Sequence, residues 1–137
     1  MAIYRTTEKG KVKISDRFVA DLLMDAFGDS CCQGKIWPST QKGKLIEPGG
    51  LFGMGDLHSH IKVSQAKDGE VTVALSVVVR FGASIQKTTD ELGEAIRKRM
   101  RQVLGMSGVA LQIHVRGIRS RSVARRDVEV EKTYGTD

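Results

Sequence analysis

The sequence predicts an α+β fold, a two-layer sandwich of order β-α-β-β-α-β in which two helices cover one face of a mostly antiparallel sheet. Between residues 71 and 81 every second residue is apolar, and the same alternation returns between residues 109 and 115. This period is typical of strands with one buried face. Between these two segments, apolar residues recur at spacings of three and four, which indicates an amphipathic helix.

The first predicted elements are a short strand and a helix. Val12 and Ile14 share one side of a strand over residues 11–14. Ser15 is a typical helix N-cap, and the helix is expected to continue to about Phe27, where Gly28 ends it.

A long glycine-rich segment follows, over residues 28–56. It contains seven glycines, both prolines and the only tryptophan, and it has no sustained period. Such long loops are usually functional or disordered. We expect short strand pieces at residues 35–37 and 44–47. We also expect Trp37, Leu51 and Phe52 to contact a partner, the alternative being that they pack back onto the domain.

The next two strands are predicted over residues 57–66 and 71–81, joined by a tight turn. A two-residue turn would place Val63 opposite Ala74 and would separate the apolar faces. A three-residue loop with Gly69 in a left-handed bulge places Val63 opposite Val73 instead. The sequence therefore predicts the bulged turn.

The second helix follows residue 82. Its expected N-cap is either Ser84 or Thr88, and Thr88 has capping-box spacing to Glu91. Glycines at 105 and 108 end it before the last strand of the sandwich. We expect one domain over residues 1–118. Residues 119–137 form a charged tail, either disordered or added to the sheet as an edge strand.

The net charge of +6 is concentrated in one region. Residues 97–126 hold nine basic residues and no acidic residue, which favours an anionic partner. The candidate residues for binding an anion or a nucleic acid are Arg97, Lys98, Arg101, Arg116, Arg119, Arg121, Arg125 and Arg126.

No catalytic constellation is evident, and we expect neither an enzyme nor a cofactor. His58, His60 and His114 have the parity to share the outer sheet face, but solvated histidines are the favoured interpretation over a zinc site. The adjacent Cys31 and Cys32 are expected as reduced thiols. No segment has the length and apolarity of a membrane span, and we expect a cytoplasmic protein.

The run from Val71 to Gly82, the helix after it and the run from Gly108 to Ile118 resemble the alkaline shock protein family of bacterial general-stress proteins. The run from Val12 to Ala20 is similar to the family's opening strand and helix. The resemblance implies a small, non-enzymatic domain with a role in cell-envelope stress. It also implies self-association, or docking on partners that are themselves anchored in the membrane.

Two functional hypotheses follow. The first is an interaction or scaffold module that self-associates or binds a protein partner through its outer sheet face and edges. The alternative is a non-specific RNA- or DNA-binding protein that acts electrostatically through residues 97–126.

Overall fold

Seven strands and two α-helices make up the part of the chain that the computed structural model describes, which is residues 2–7, 9–46, 57–106, 108–120 and 123–134. In chain order the elements are β1 (Ala2–Thr7), β2 (Gly10–Ser15), α1 (Asp16–Phe27), β3 (Ile36–Ser39), a 3-10 helix (Leu57–His60), β4 (Lys62–Gln65), β5 (Val71–Arg80), α2 (Ile85–Leu104), β6 (Val109–Arg119) and β7 (Val123–Tyr134). The predicted α+β class is confirmed.

β5 and β6 form the centre of the main sheet. β3 and β4 pair antiparallel with one edge of β5, β6 pairs parallel with its other edge, and β7 pairs antiparallel with β6. β1 and β2 form a separate antiparallel hairpin. The sheet is thus mostly antiparallel, as predicted. β5 and β6 are parallel because α2 connects them as a crossover helix.

The core lies between the helices and one face of the main sheet. Leu75 of β5 is opposite Ile113 of β6, and both side chains are buried. They belong to one apolar cluster with Leu23 of α1 and Ile96 of α2. The apolar parity of both strands therefore faces the helices, as predicted. Burial of each such side chain stabilises the fold by about 1.5 to 3 kcal/mol.

Both helices begin at serine caps. The Ser15 Oγ accepts a hydrogen bond from the Phe18 backbone N–H at 3.2 Å, which confirms the predicted start of α1. The Ser84 Oγ accepts one from the Lys87 N–H at 3.1 Å, so Ser84 rather than Thr88 caps α2. Thr88 is buried inside the first turns of that helix. Each cap satisfies an N–H group that has no partner within the helix.

The turn between β4 and β5 is the predicted bulge. Gly69 has a φ of 92°, a left-handed conformation that glycine adopts without strain. The Gly69 N–H donates to the Ala66 carbonyl at 3.0 Å, and the Ala66 N–H donates to the Glu70 carbonyl at 2.8 Å. Val63 consequently lies opposite Val73, and both are buried.

The structure corrects the predicted strand over residues 57–66. Its first part is the 3-10 helix, so His58 and His60 do not lie on a strand. The reason is competition for the edge of β5. In the register of β4, residues 57–60 would have to pair with Ser76–Val79, and β3 already pairs with these residues. Leu57 is still buried in the core, and Ile61 packs against it.

The sequence pattern did not predict β1, in which Ile3 is buried opposite Ile14 of β2. Of the two strand pieces expected within residues 28–56, the first corresponds to β3. At the second, only Leu45 forms a bridge, to Ser39.

β7 is docked on α2 by its inward-facing side chains. The Lys132 ammonium contacts the Asp90 carboxylate. The Tyr134 ring lies against Gly93, where any Cβ atom would overlap the tyrosine hydroxyl. Arg97 lies over the same ring at 5.7 Å from its centroid. A glycine inside a helix costs about 1 kcal/mol relative to alanine, and here it provides the space for the end of β7.

Replacement of Ser84 by alanine should lower the free energy of unfolding by about 1 kcal/mol, because the Lys87 N–H loses its acceptor. Urea unfolding measures the change. The exposed Ser120 is the matched control, and Ser120→Ala should change stability by less than about 0.5 kcal/mol. Equal losses in the two variants would contradict the capping role.

Gly93→Ala should lower the pKa of Tyr134. Burial is the main cause that raises this pKa above its ordinary value, because a phenolate is poorly solvated beside α2. The added methyl group displaces the ring towards water, and the pKa returns towards the ordinary value. Absorbance titration of the phenolate in a Tyr4→Phe background isolates this group, since the chain has two tyrosines. Gln102→Ala on α2 is the control, and an unchanged Tyr134 pKa in the glycine variant would contradict the docking.

Candidate interaction surface

The main sheet has one long edge strand, β7. Ten of its twelve residues pair with β6 on one side, with a register shift at residues 126 and 127, and no described strand pairs with its other side. The strand contains neither proline nor glycine. An edge of this kind presents unpaired backbone N–H and C=O groups, which can hydrogen-bond to a strand from another chain.

The opposite edge consists of two strands of four residues each, and both are covered. At β4, the Gln65 side chain accepts from the Tyr4 N–H at 2.9 Å and donates to the Tyr4 carbonyl at 2.8 Å, which links β4 to β1. At β3, the Ile46 N–H donates to the Pro38 carbonyl at 3.0 Å, beside the bridge between Ser39 and Leu45. Pro38 has no N–H to offer. This edge is therefore much less suited to accept a further strand.

The outer face of the sheet, opposite the helices, is polar along β6 and β7. Gln112 lies opposite Glu131, and His114 lies opposite Glu129. The His114 Nε2 is 3.7 Å from a Glu129 carboxylate oxygen. A partner on this face would meet hydrogen-bonding and charged groups rather than an apolar patch.

The residues of the predicted basic segment do not form one continuous stripe. Arg97, Lys98 and Arg101 are on α2, in the helical layer. Arg116 and Arg119 are on β6, where the Arg116 Nε donates to the Ser76 Oγ at 3.2 Å on the outer sheet face. Arg125 and Arg126 belong to β7, and Arg121 lies outside the described residues. The sheet therefore separates the bases of α2 from those of β6.

Several of these bases interact with groups of the protein itself. Arg97 is 3.7 Å from the Glu94 carboxylate. Arg99 forms a bidentate contact with Asp29. In this contact the Arg99 Nη1 donates a hydrogen bond of 2.8 Å to the Asp29 Oδ2. This contact lowers the pKa of Asp29 and raises that of Arg99. No local sequence pattern predicts the Arg99–Asp29 pair, because the two residues are 70 positions apart.

Trp37, the expected loop contact, lies in β3 and is half-buried. It is opposite Val78 of β5, and the Arg119 guanidinium stacks over its ring at 4.6 Å from the centroid. Leu51 and Phe52 lie outside the described residues. Trp37 is thus part of the sheet and contacts Arg119, one of the predicted basic residues.

The three histidines are not gathered on one face. His58 and His60 lie on the 3-10 helix, whereas His114 is on β6. Within the described ranges there is no group of three or more His, Cys, Asp or Glu residues with the geometry to hold a metal ion. Neither described helix is both long and apolar enough to cross a membrane.

Comparison with known proteins identifies the family. No curated protein and no solved structure matches the chain significantly. A family model does match it over residues 4–120, and that family is described as having a cell envelope-related function. The match spans every element from β2 to β6, including the α2 crossover. The chain therefore belongs to the alkaline shock protein family, whose function is related to the cell envelope.

Proposed function

We propose that this protein is a non-enzymatic interaction module that self-associates through β7 and, in the assembled form, presents its outer sheet faces to a protein partner at the cell envelope. The open edge of β7 is the observation that carries the proposal. The family's envelope-related role supports the location, and a partner anchored in the membrane would supply the attachment.

Pairing of β7 with a second copy of itself is favoured over head-to-tail assembly. Head-to-tail assembly would need the edge formed by β3 and β4. There the Gln65 side chain holds β1 beside β4, and the Pro38 carbonyl of β3 already accepts from the Ile46 N–H. A symmetric interface uses the same surface on both copies and closes after two. Antiparallel pairing of two β7 strands would join the two main sheets into one.

The order of charges along β7 supports the antiparallel arrangement. Arg125 and Arg126 precede three acidic residues in the strand, which are Asp127, Glu129 and Glu131. In a symmetric antiparallel pair, the basic half of each strand lies beside the acidic half of the other. Opposite charges across a strand pair are favourable, whereas like charges are unfavourable. A parallel pairing in register would place like charges together instead.

Reversal of the charges in either the acidic or the basic half of β7 should weaken the dimer. We expect Glu129→Arg with Glu131→Arg to raise the dimer dissociation constant about tenfold, since each opposed pair contributes roughly 0.2 to 1 kcal/mol. Arg125→Glu with Arg126→Glu should have a similar effect. Sedimentation equilibrium measures both. An equimolar mixture of the two variants should associate again, because each then supplies the charge that the other lacks.

The control reverses the same number of acidic residues away from β7. Asp21 and Asp25 are exposed on α1, and Asp21→Arg with Asp25→Arg should leave the dissociation constant unchanged. A wild-type protein that sediments as a monomer at millimolar concentration would refute self-association. If all three double variants still form the dimer, the β7 interface is refuted, but self-association is not.

A further inference from the structure

Cys31 and Cys32 form a close pair of thiols in the turn between α1 and β3. Their Sγ atoms are 3.5 Å apart, although consecutive side chains commonly diverge. Both cysteines are free, and the chain has no others. The proposed interface at β7 makes no use of them. Their arrangement therefore calls for a separate explanation.

The backbone around the two thiols is held by several hydrogen bonds. The Cys32 N–H donates to the Asp29 carbonyl at 2.9 Å, and the Cys32 carbonyl accepts from the N–H groups of Lys35 and Ile36 at 3.0 and 3.2 Å. The Asp29 side chain is in turn bound to Arg99 of α2. The turn is thus fixed to the helical layer, and the two sulfur atoms are preorganised.

The two thiols differ in access to solvent. Cys31 is partly exposed and lines an open groove beside α2, together with Asp29, Glu91 and Lys98. Cys32 is fully buried. Burial, and then the hydrogen bond to Cys31, raise the pKa of Cys32 to about 12. Cys32 is therefore a neutral thiol at physiological pH, and Cys31 is the group that an incoming reagent meets first.

A disulfide between these neighbours is not the favoured product. Consecutive Cα atoms are about 3.8 Å apart, whereas disulfides usually join Cα atoms that are about 4.4 to 6.8 Å apart. A bond formed outside this range is strained and easily reduced. An atom that bridges the two sulfurs avoids the strain, because the sulfurs need not reach bonding distance of each other.

We propose that Cys31 and Cys32 are a dithiol site for trivalent arsenic, selective for arsenicals that carry one organic group. The site is a two-sulfur chelate in which Cys31 lines the groove beside α2 and the buried Cys32 sulfur lies 3.5 Å from the Cys31 sulfur. It is independent of the proposed association through β7.

The reaction is a double condensation without any change of oxidation state. In water such an arsenical, here phenylarsine oxide, carries two hydroxyl groups. The Cys31 sulfur forms the first As–S bond, and its proton leaves with one hydroxyl group as water. The Cys32 sulfur forms the second bond, and its proton leaves with the other hydroxyl group. Two thiols and one arsenical thus give one cyclic dithioarsenite and two molecules of water.

The number of sulfurs sets the selectivity. Arsenite carries three exchangeable hydroxyl groups and is held best by three thiols, and this chain has only two cysteines. A mono-organic arsenical has only two exchangeable groups, which the pair satisfies completely. Formation of the second bond is intramolecular, so the chelate should be tighter than a single thiol adduct by about 100-fold or more.

The test uses the full chain, reduced and desalted, with phenylarsine oxide as the probe. We expect one equivalent to remain bound through gel filtration, as measured by intact-protein mass spectrometry. Ethanedithiol should release it, and an equal concentration of mercaptoethanol should not. Arsenite should be retained at least about tenfold less well under the same conditions, because the third thiol is missing.

Two variants locate the site. Cys31→Ser and Cys32→Ala should each lower the affinity for phenylarsine oxide by about 100-fold or more, since each leaves a single thiol. Cys31 is partly exposed, so its replacement is expected to preserve the fold even where the loss of the buried Cys32 does not. Wild-type protein that releases the probe during gel filtration would overturn the proposal. So would a folded Cys31→Ser variant that retains it.

Discussion

The parallel pairing of β5 with β6 beneath α2 is the constraint on which the rest of the structure depends. It aligns Leu75 with Ile113, so that one face of both strands is buried against the helices. Because side chains alternate along a strand, the opposite parity is necessarily turned outward. The polar residues of the outer face, including Gln112 and His114, are the other half of the same pattern. The packing of the core therefore also determines what a partner meets.

The same pairing decides which edges of the sheet are open. β5 and β6 occupy the centre, so β3 and β4 lie on one side and β7 on the other. The short strands are covered by the Gln65–Tyr4 hydrogen bonds and by the segment around Ile46. β7 is long and is anchored to α2 only through its inward side chains. Because the anchoring contacts are on one face, they do not involve the edge of β7, with which no strand of the described residues pairs.

The sequence was sufficient wherever the signal was local and periodic. Alternation predicted β5 and β6, the position of Ser15 predicted the start of α1, and parity alone selected the Gly69 bulge. Contacts between residues far apart in the chain could not be predicted from such local patterns. The docking of Tyr134 depends on the absence of a side chain at Gly93, 41 residues earlier in the chain. A glycine within a helical pattern gives no indication of which residue will use the space.

In the proposed self-association, the charges of β7 would restrict which strands can pair with its edge. A long edge strand with apolar residues alone would pair with many extended segments. In β7, Lys132 points inward and forms an ion pair with Asp90. The other charged residues of the strand form a basic half followed by an acidic half. Under the proposal, a strand with complementary charges pairs more favourably than one without them, and a second copy in the antiparallel direction has complementary charges. We therefore propose that the basic residues of β7 act in partner selection, which is a different role from the nucleic-acid contact predicted from the number of basic residues.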